Sequence, residues 1–351
     1  MRLATASLNH SLIAFQQEIY DNKDSLGFNE NTMSMQNRWR ELMKKVKNTK
    51  DLSVSSVRKH RRDWTGWALV SPMMVLLLIM TVGPTLFLLN AAFRTVDLTT
   101  PGQPWVGFSN FKYFFTDPYQ TNAMVRTIVF AVVVVVIELV LGMLIALPLQ
   151  KQSRSNNIRT TLLIMPFAVA PIVSGLVFKH LLNPSVGWVN FFMSQLGFHD
   201  GIDWLSKAPT AWIALIGVDV WQWTPFVSLI LIAGLQSLPL EPKEAAAIDG
   251  ASSWQTFRYV ILPQLAPFIS IAVTLRLIQA FKTFDSFSIM TNGGPGSSTE
   301  NINLQLYRTA LGSFHIGSAS AVAILFLIIL SLMIPLLIKA IGHNSIGEHV
   351  R

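Results

Sequence analysis

The 351-residue chain contains no cysteine, which excludes a disulfide framework, a thiol nucleophile and any cysteine-based metal site. Charge is scarce too. Asp, Glu, Lys and Arg make up 13% of the residues, against about 25% in soluble domains, while 51% are hydrophobic. The seven histidines are scattered without the His-x-x-x-His or Glu-x-x-His spacing of a metal site. No Gly-x-x-x-x-Gly-Lys-Ser/Thr loop occurs, so the chain binds no nucleotide by that route. Neither paired catalytic carboxylates nor a nucleophile with its base point to an enzyme. Low charge with long apolar runs describes an all-α, polytopic membrane protein.

Residues 1–63 form a polar tail. Its one early apolar stretch, Leu12-Ile-Ala-Phe15, is too short for a signal-peptide core, so no cleavable signal is expected. The tail turns basic from Arg38 through Lys44, Lys45, Lys47, Lys50, Arg58, Lys59, Arg61 and Arg62. Beside a membrane segment such a run holds the tail in the cytoplasm against anionic lipid, rather than binding nucleic acid. Trp64 and Trp67 follow as interfacial aromatics. Six windows are long and apolar enough to span a bilayer, at about 65–92, 124–149, 159–182, 210–234, 266–289 and 317–341. With the tail inside, six spans return residues 342–351 to the cytoplasm as a short C-terminal tail. Inside loops carry Lys151, Arg154, Arg159, Lys243 and Arg258, and the outside loops are sparser in Lys and Arg. Those outside loops, about 93–123, 183–209 and 290–316, are rich in aromatics and turn residues, which suits folding onto the rim or receiving a soluble partner.

A polar, small-residue island at 236–265 interrupts the apolar pattern on the cytoplasmic side. Pro242 suits the first turn of a short helix through Ile248, Gly250 permits a reversal, and Ser252 or Ser253 can cap the next helix. Pro263 falls where that helix must stop or bend. Ala245, Ala246 and Ala247 leave the short helix nearly bare beside the Glu244 charge. Such a surface suits docking, although a plain connecting hairpin has the same pattern.

Charge inside the spans is costly unless it faces the bundle or water. Glu138 lies in the second span, Asp219 in the fourth, and Arg276, Lys282 and Asp285 in the fifth window. Glu138 stands alone amid Val and Leu, which favours a structural role. Helical spacing puts Asp219, Gln222, Trp223 and Phe226 on one face, and Arg276, Gln279, Ala280 and Thr283 on another. Together these stripes offer hydrogen-bonding groups and flat aromatic surface, as a polyhydroxylated solute requires. Pairing of Asp219 and Arg276 to hold the bundle together accounts for the same residues equally well.

Several motifs resemble the sugar branch of the inner-membrane permeases of ATP-binding-cassette importers, of the maltose and glycerol-3-phosphate type. That family's signature is Glu-Ala-Ala, three residues, Gly, nine residues, then Ile-x-Leu-Pro. Here Glu244-Ala245-Ala246, Gly250 and Val260-Ile261-Leu262-Pro263 fit, with Val in place of Ile. Trp221-Gln-Trp-Thr-Pro225-Phe226, Ala233-Gly-Leu-Gln236, Ile248-Asp249-Gly250-Ala251, Phe281-Lys-Thr-Phe-Asp285 and Met290-Thr-Asn-Gly-Gly-Pro295 extend the likeness across about residues 64–341.

The resemblance implies a type I importer permease fold of six transmembrane helices, with both termini in the cytoplasm of a bacterial inner membrane. It also implies a second, homologous permease, two ATPase subunits that carry ATP and Mg, and an extracytoplasmic substrate-binding protein delivering a saccharide or polyol. This chain would bind no cofactor. Glu244, Ala245, Ala246, Ala247, Asp249, Gly250 and Ala251 would form the contact with one ATPase. Solute contacts would fall on Asp219, Gln222, Trp223, Phe226, Arg276, Gln279, Ala280 and Thr283. An acidic sugar or a glycerol phosphate ester is the alternative cargo, and a stand-alone secondary carrier the more remote reading.

Overall fold

The computed structural model describes Glu41, Lys44 and residues 64–151, 153–197 and 201–346. Apart from those first two residues, the basic tail lies outside the described residues, as does the C-terminal tail from 347. The chain divides into two units, up to Ile79 and from Met80. Of the first, the description covers chiefly the apolar leading half of α1 (Trp64–Ala92).

Among the described residues, five helices are long and apolar enough to cross a membrane, and a bent pair makes a sixth if it is counted as one span. After α1 comes the short α2 (Ser109–Thr116), then α3 (Pro118–Leu149). Hydropathy places the second span from 124. The helix starts earlier because Asp117 accepts a bond from the Tyr119 amide at 2.9 Å and Pro118 fills the first turn, so a cap sets the start rather than the first apolar residue.

The third window, expected as one span over 159–182, is broken. It consists of α4 (Arg154–Ala168) and α5 (Pro171–Leu181), bent by 89° to one another. Pro171 has no amide hydrogen and pushes the preceding residue out of helical geometry; Ala170 is extended, with φ −61° and ψ 136°. A short helix, α6 (Trp188–Gln195), precedes α7 (Ala208–Ser237), the fourth span.

The polar island folds as α8 (Glu241–Ile248) and the one-turn α9 (Ser253–Gln255). A π-helical turn over Thr256–Ile261 then leads into α10 (Leu262–Phe281). Pro263 does not stop this helix. It sits in the first turn of α10, and the wider turn before it, where the Leu262 amide reaches back five residues to the Phe257 carbonyl, relieves the clash a proline makes in a normal helix. The fifth span therefore runs from Ser253 to Phe281 rather than 266–289, and Lys282, Thr283 and Asp285 lie beyond its end. Orphan carbonyls at that end are met from the next loop: Asn303 donates to Phe281 at 2.7 Å and Asn301 to Thr283 at 2.6 Å. After α11 (Ile302–Tyr307), the sixth span is α12 (Ile316–Ile346), which carries the helix past residue 341.

The core of this second unit has two parts. Phe130, Val134, Leu215, Val218, Leu277, Phe281 and Phe287 form one cluster, and Ala146, Val227, Leu231, Leu235, Leu265 and Ala272 the other. Gly234 lets α7 and α10 approach closely, since a Cβ there would lie 2.6 Å from the Phe268 ring. In the loop after α1, Phe93 stacks on Trp105 at 5.4 Å, and Trp105 and Phe108 are exposed. Asp97 accepts bonds from the Thr99 amide and hydroxyl at 2.7 and 2.6 Å. These bonds, with His315 nearby, hold its carboxyl below the ordinary value of 3.8.

Candidate functional site

The apolar spans pack around one charged cluster. Arg276 on α10, fully buried, donates from Nε to Glu138 on α3 at 2.5 Å and from Nη2 to the other Glu138 oxygen at 2.9 Å. Nη2 also pairs with Asp219 Oδ2 on α7. A bidentate fork of this kind needs the planar guanidinium, and it ties three spans together. The Trp223 ring covers the guanidinium at 4.8 Å, and Phe167 and Phe226 pack against Trp223. Arg276 Nη1 is buried and makes no hydrogen bond.

Beside the cluster lies a cavity of about 160 Å³ whose wall includes Asp219, Gln222, Trp223, Gln279 and Thr283. Five of the eight residues read from the two helical stripes thus meet at one surface. The other three do not reach it. Arg276 sits behind the wall, Ala280 is only 1% exposed within the core, and Phe226 stacks on Phe167 at 5.3 Å. Thr283 arrives from beyond the helix end, not along the helical stripe. Gln222 has a second task, donating at 2.6 Å to the Val169 carbonyl left free at the break between α4 and α5.

Sequence reasoning missed Pro171, Phe284 and Ser286 on the same wall. Pro171 carried a signal as a helix breaker inside an apolar run, and Phe284 as part of the Phe281–Asp285 motif. Glu138 has the structural role expected of it, though it is paired rather than alone. A larger groove of about 690 Å³ near Met143, Leu147, Trp254 and Phe257 is almost wholly apolar. It offers a polar solute next to nothing to bond.

Away from the cluster, α8 ends in a full reversal motif. The Ala251 amide donates to Ala246 at 2.9 Å and the Gly250 amide to Ala247 at 3.2 Å, while Gly250 takes the left-handed φ of 77° that glycine alone adopts without strain. Ser252, not Ser253, caps the next helix, in a reciprocal box with Gln255. Glu244, Ala245, Ala247, Asp249 and Gly250 are exposed, and Ala246 and Ala251 half-buried. Ile248 is 87% exposed, with Leu240, Trp254 and Tyr259 also uncovered nearby.

The profile of the binding-protein-dependent transport system inner membrane components matches residues 138–344. The trehalose/maltose transport system permease MalF of Thermococcus litoralis is 32% identical over 81% of this chain and 96% of its own length. The chain belongs to this family of inner membrane components. It is accordingly a multi-pass permease subunit of an ATP-binding-cassette importer, non-catalytic and without a cofactor of its own, working with a binding protein and with ATPases that hold the ATP. A second family member, the sulfoquinovosyl glycerol permease SmoG of Agrobacterium fabrum, is 32% identical over 74% of this chain and 88% of its own. The permease fold also matches a chain in the crystal structure of a bacterial ABC transporter importing the acidic polysaccharide alginate. The TM-score is 0.71 at 22% identity, covering 82% of this chain and 98% of that one.

Proposed function

We propose that this permease, paired with a second homologous permease and two ATPase subunits, moves a carbohydrate delivered by the binding protein. The observation that carries the reading is the cavity wall. Carboxylate, amide and hydroxyl groups from Asp219, Gln222, Gln279 and Thr283 stand beside the Trp223 ring, among apolar spans, where a polyhydroxylated solute exchanges its water shell for protein. The named cargoes of the relatives, trehalose or maltose and sulfoquinovosyl glycerol, support the class. About 160 Å³ is below the roughly 300 Å³ at which ligand pockets begin, which fits a site completed by the second permease.

The α8 reversal is the proposed ATPase contact. Glu244, Ala245, Ala246, Ala247, Asp249, Gly250 and Ala251 present a small-residue surface with a charge at its edge, and exposed Ile248 needs a partner to cover it. Closure of the ATPases would move the loop and switch the spans between two openings. In the reconstituted importer, loaded binding protein should accelerate ATP hydrolysis, and Glu244→Lys or Gly250→Pro should separate hydrolysis from uptake. Unchanged uptake in both variants refutes the contact. Ion-driven uptake by this chain alone in liposomes would establish a stand-alone carrier instead.

A further inference from the structure

Resting on the carbohydrate reading above, we infer that the cavity selects uncharged cargo, and that Arg276 is a positioning residue that does not meet the cargo. Arginine beside a solute cavity ordinarily suggests an anion such as an acidic sugar or a phosphate ester. Here the guanidinium is fully buried, with both Glu138 oxygens and one Asp219 oxygen on its Nε and Nη2 and Trp223 over its face. The member of the cluster on the cavity wall is the Asp219 carboxyl, not the guanidinium.

Some of the remaining donors are already engaged, and the free carboxylate oxygens are not. Asp219 Oδ1 has no hydrogen-bond partner among the described residues, and an ionised carboxylate only accepts. The Gln222 amide nitrogen is engaged by the Val169 carbonyl at 2.6 Å, and the Thr283 hydroxyl donates to the Gln279 carbonyl at 3.3 Å. Asp285 adds a second carboxylate to the wall, against a single cation, Lys282. The free carboxylate oxygens of this wall pair with hydroxyl donors, and the Gln279 amide and Lys282 donate to the oxygens of the same hydroxyls. A carboxylate or phosphate brings acceptors and like charge, which this wall repels.

The test uses the complete importer in nanodiscs, with matched probes: methyl glucoside against methyl glucuronide, and trehalose against trehalose 6-phosphate. Equilibrium binding should favour the uncharged member of each pair by about tenfold or more, as expected for like charges in a partly dry site. Asp285→Asn, outside the cluster, and Asp219→Asn, which leaves Arg276 its fork to Glu138, should each narrow that ratio severalfold. Glu138→Gln never touches the cavity, yet it should narrow the ratio too, by releasing part of the Arg276 charge. A purely structural role for the cluster would leave the ratio unmoved. Equal or tighter binding of the anionic probes, or a ratio constant across the three variants, overturns the charge selection while the carbohydrate reading stands. If no probe of either kind binds, both fall together.

Discussion

Removing the Arg276 guanidinium should be far more damaging than removing the whole cluster. Arg276→Met leaves Glu138, fully buried, and Asp219, 3% exposed, facing each other without the cation. Breaking a buried pair from one side costs about 3–5 kcal/mol, whereas replacing all partners by uncharged groups of similar volume is often neutral or stabilising. For a domain of this size each kcal/mol moves the melting point by about 2–4 °C, so Arg276→Met should melt about 6 to 20 °C lower. The triple variant Glu138→Gln, Arg276→Met, Asp219→Asn should recover most of that loss. The assay is thermal unfolding of the purified importer, followed by near-ultraviolet circular dichroism in one detergent. Were Arg276→Met to melt with the wild type, or the triple variant to melt below the single one, the cluster would not be holding α3, α7 and α10 together.

Three further outcomes follow from local geometry. A Cβ at Gly234 would meet Phe268 Cγ at 2.6 Å and Leu265 Cδ1 at 2.8 Å, so Gly234→Ala should cost about 1–3 kcal/mol of overpacking, read by thermal melting. Gly217→Ala, which meets nothing within 4 Å, is the control that should not change. Gln222→Leu strips the partner from the Val169 carbonyl and should destabilise by about 1–3 kcal/mol; the amides of α5 should then exchange hydrogen faster, and identical exchange would remove Gln222 from this role. Because the Asp97 carboxyl is depressed in the fold, its stabilisation is fully present above its ordinary value of 3.8 and lost as pH falls through the lower folded value. Proteolysis of the 93–117 loop should therefore rise on acidification within that window in the wild type but not in Asp97→Asn.

Apolar runs made the spans legible, because bilayer thickness demands about twenty such residues whatever their tertiary setting. The α8 reversal was legible for another reason: Pro242, Gly250 and Ser252 each meet a local backbone requirement. The break at 169–170 escaped because hydropathy averaged over 159–182 carries no direction, although Pro166 and Pro171 both lie there. The charged cluster escaped more deeply. Glu138 and Asp219 stand 138 and 57 residues from Arg276 in sequence, and no helical period links residues on different spans. Pairing between Asp219 and Arg276 was one of two readings left open, and the structure supplies that pairing together with a wall of cavity residues. Half of the second stripe, Arg276 and Ala280, faces the core although both lie within α10, whereas Thr283, beyond the helix end at Phe281, still reaches the wall.

The same connections indicate which seams can move during transport. The fifth span leads from Ser253, next to the proposed ATPase contact, to Arg276 some 35 Å along at 1.5 Å per residue. There Arg276 is bonded to both α3 and α7. Sliding α10 against those helices would break charge-assisted bonds in a dry interior, so a push on α8 reaches α3, α7 and α10 as one body. The span made of α4 and α5 is held differently: its bend lacks helical bonds, Gln222 ties it by one hydrogen bond, and α5 meets the segment after α10 through Gly175 and a bond from Lys179 to the Ile289 carbonyl at 2.9 Å. A chain without native cysteine allows the two seams to be locked one at a time. Ideal Cβ atoms at Gly142 and Gly175 lie 3.4 Å from the Cβ atoms of Val227 and Ile289 respectively, near the roughly 3.5–4.5 Å of a disulfide. Oxidising the Gly142→Cys, Val227→Cys pair, within the body, should leave uptake intact. Oxidising the Gly175→Cys, Ile289→Cys pair should arrest it until reductant is added. Uptake arrested by the first crosslink and untouched by the second would place the moving seam inside the charged cluster, contrary to its geometry.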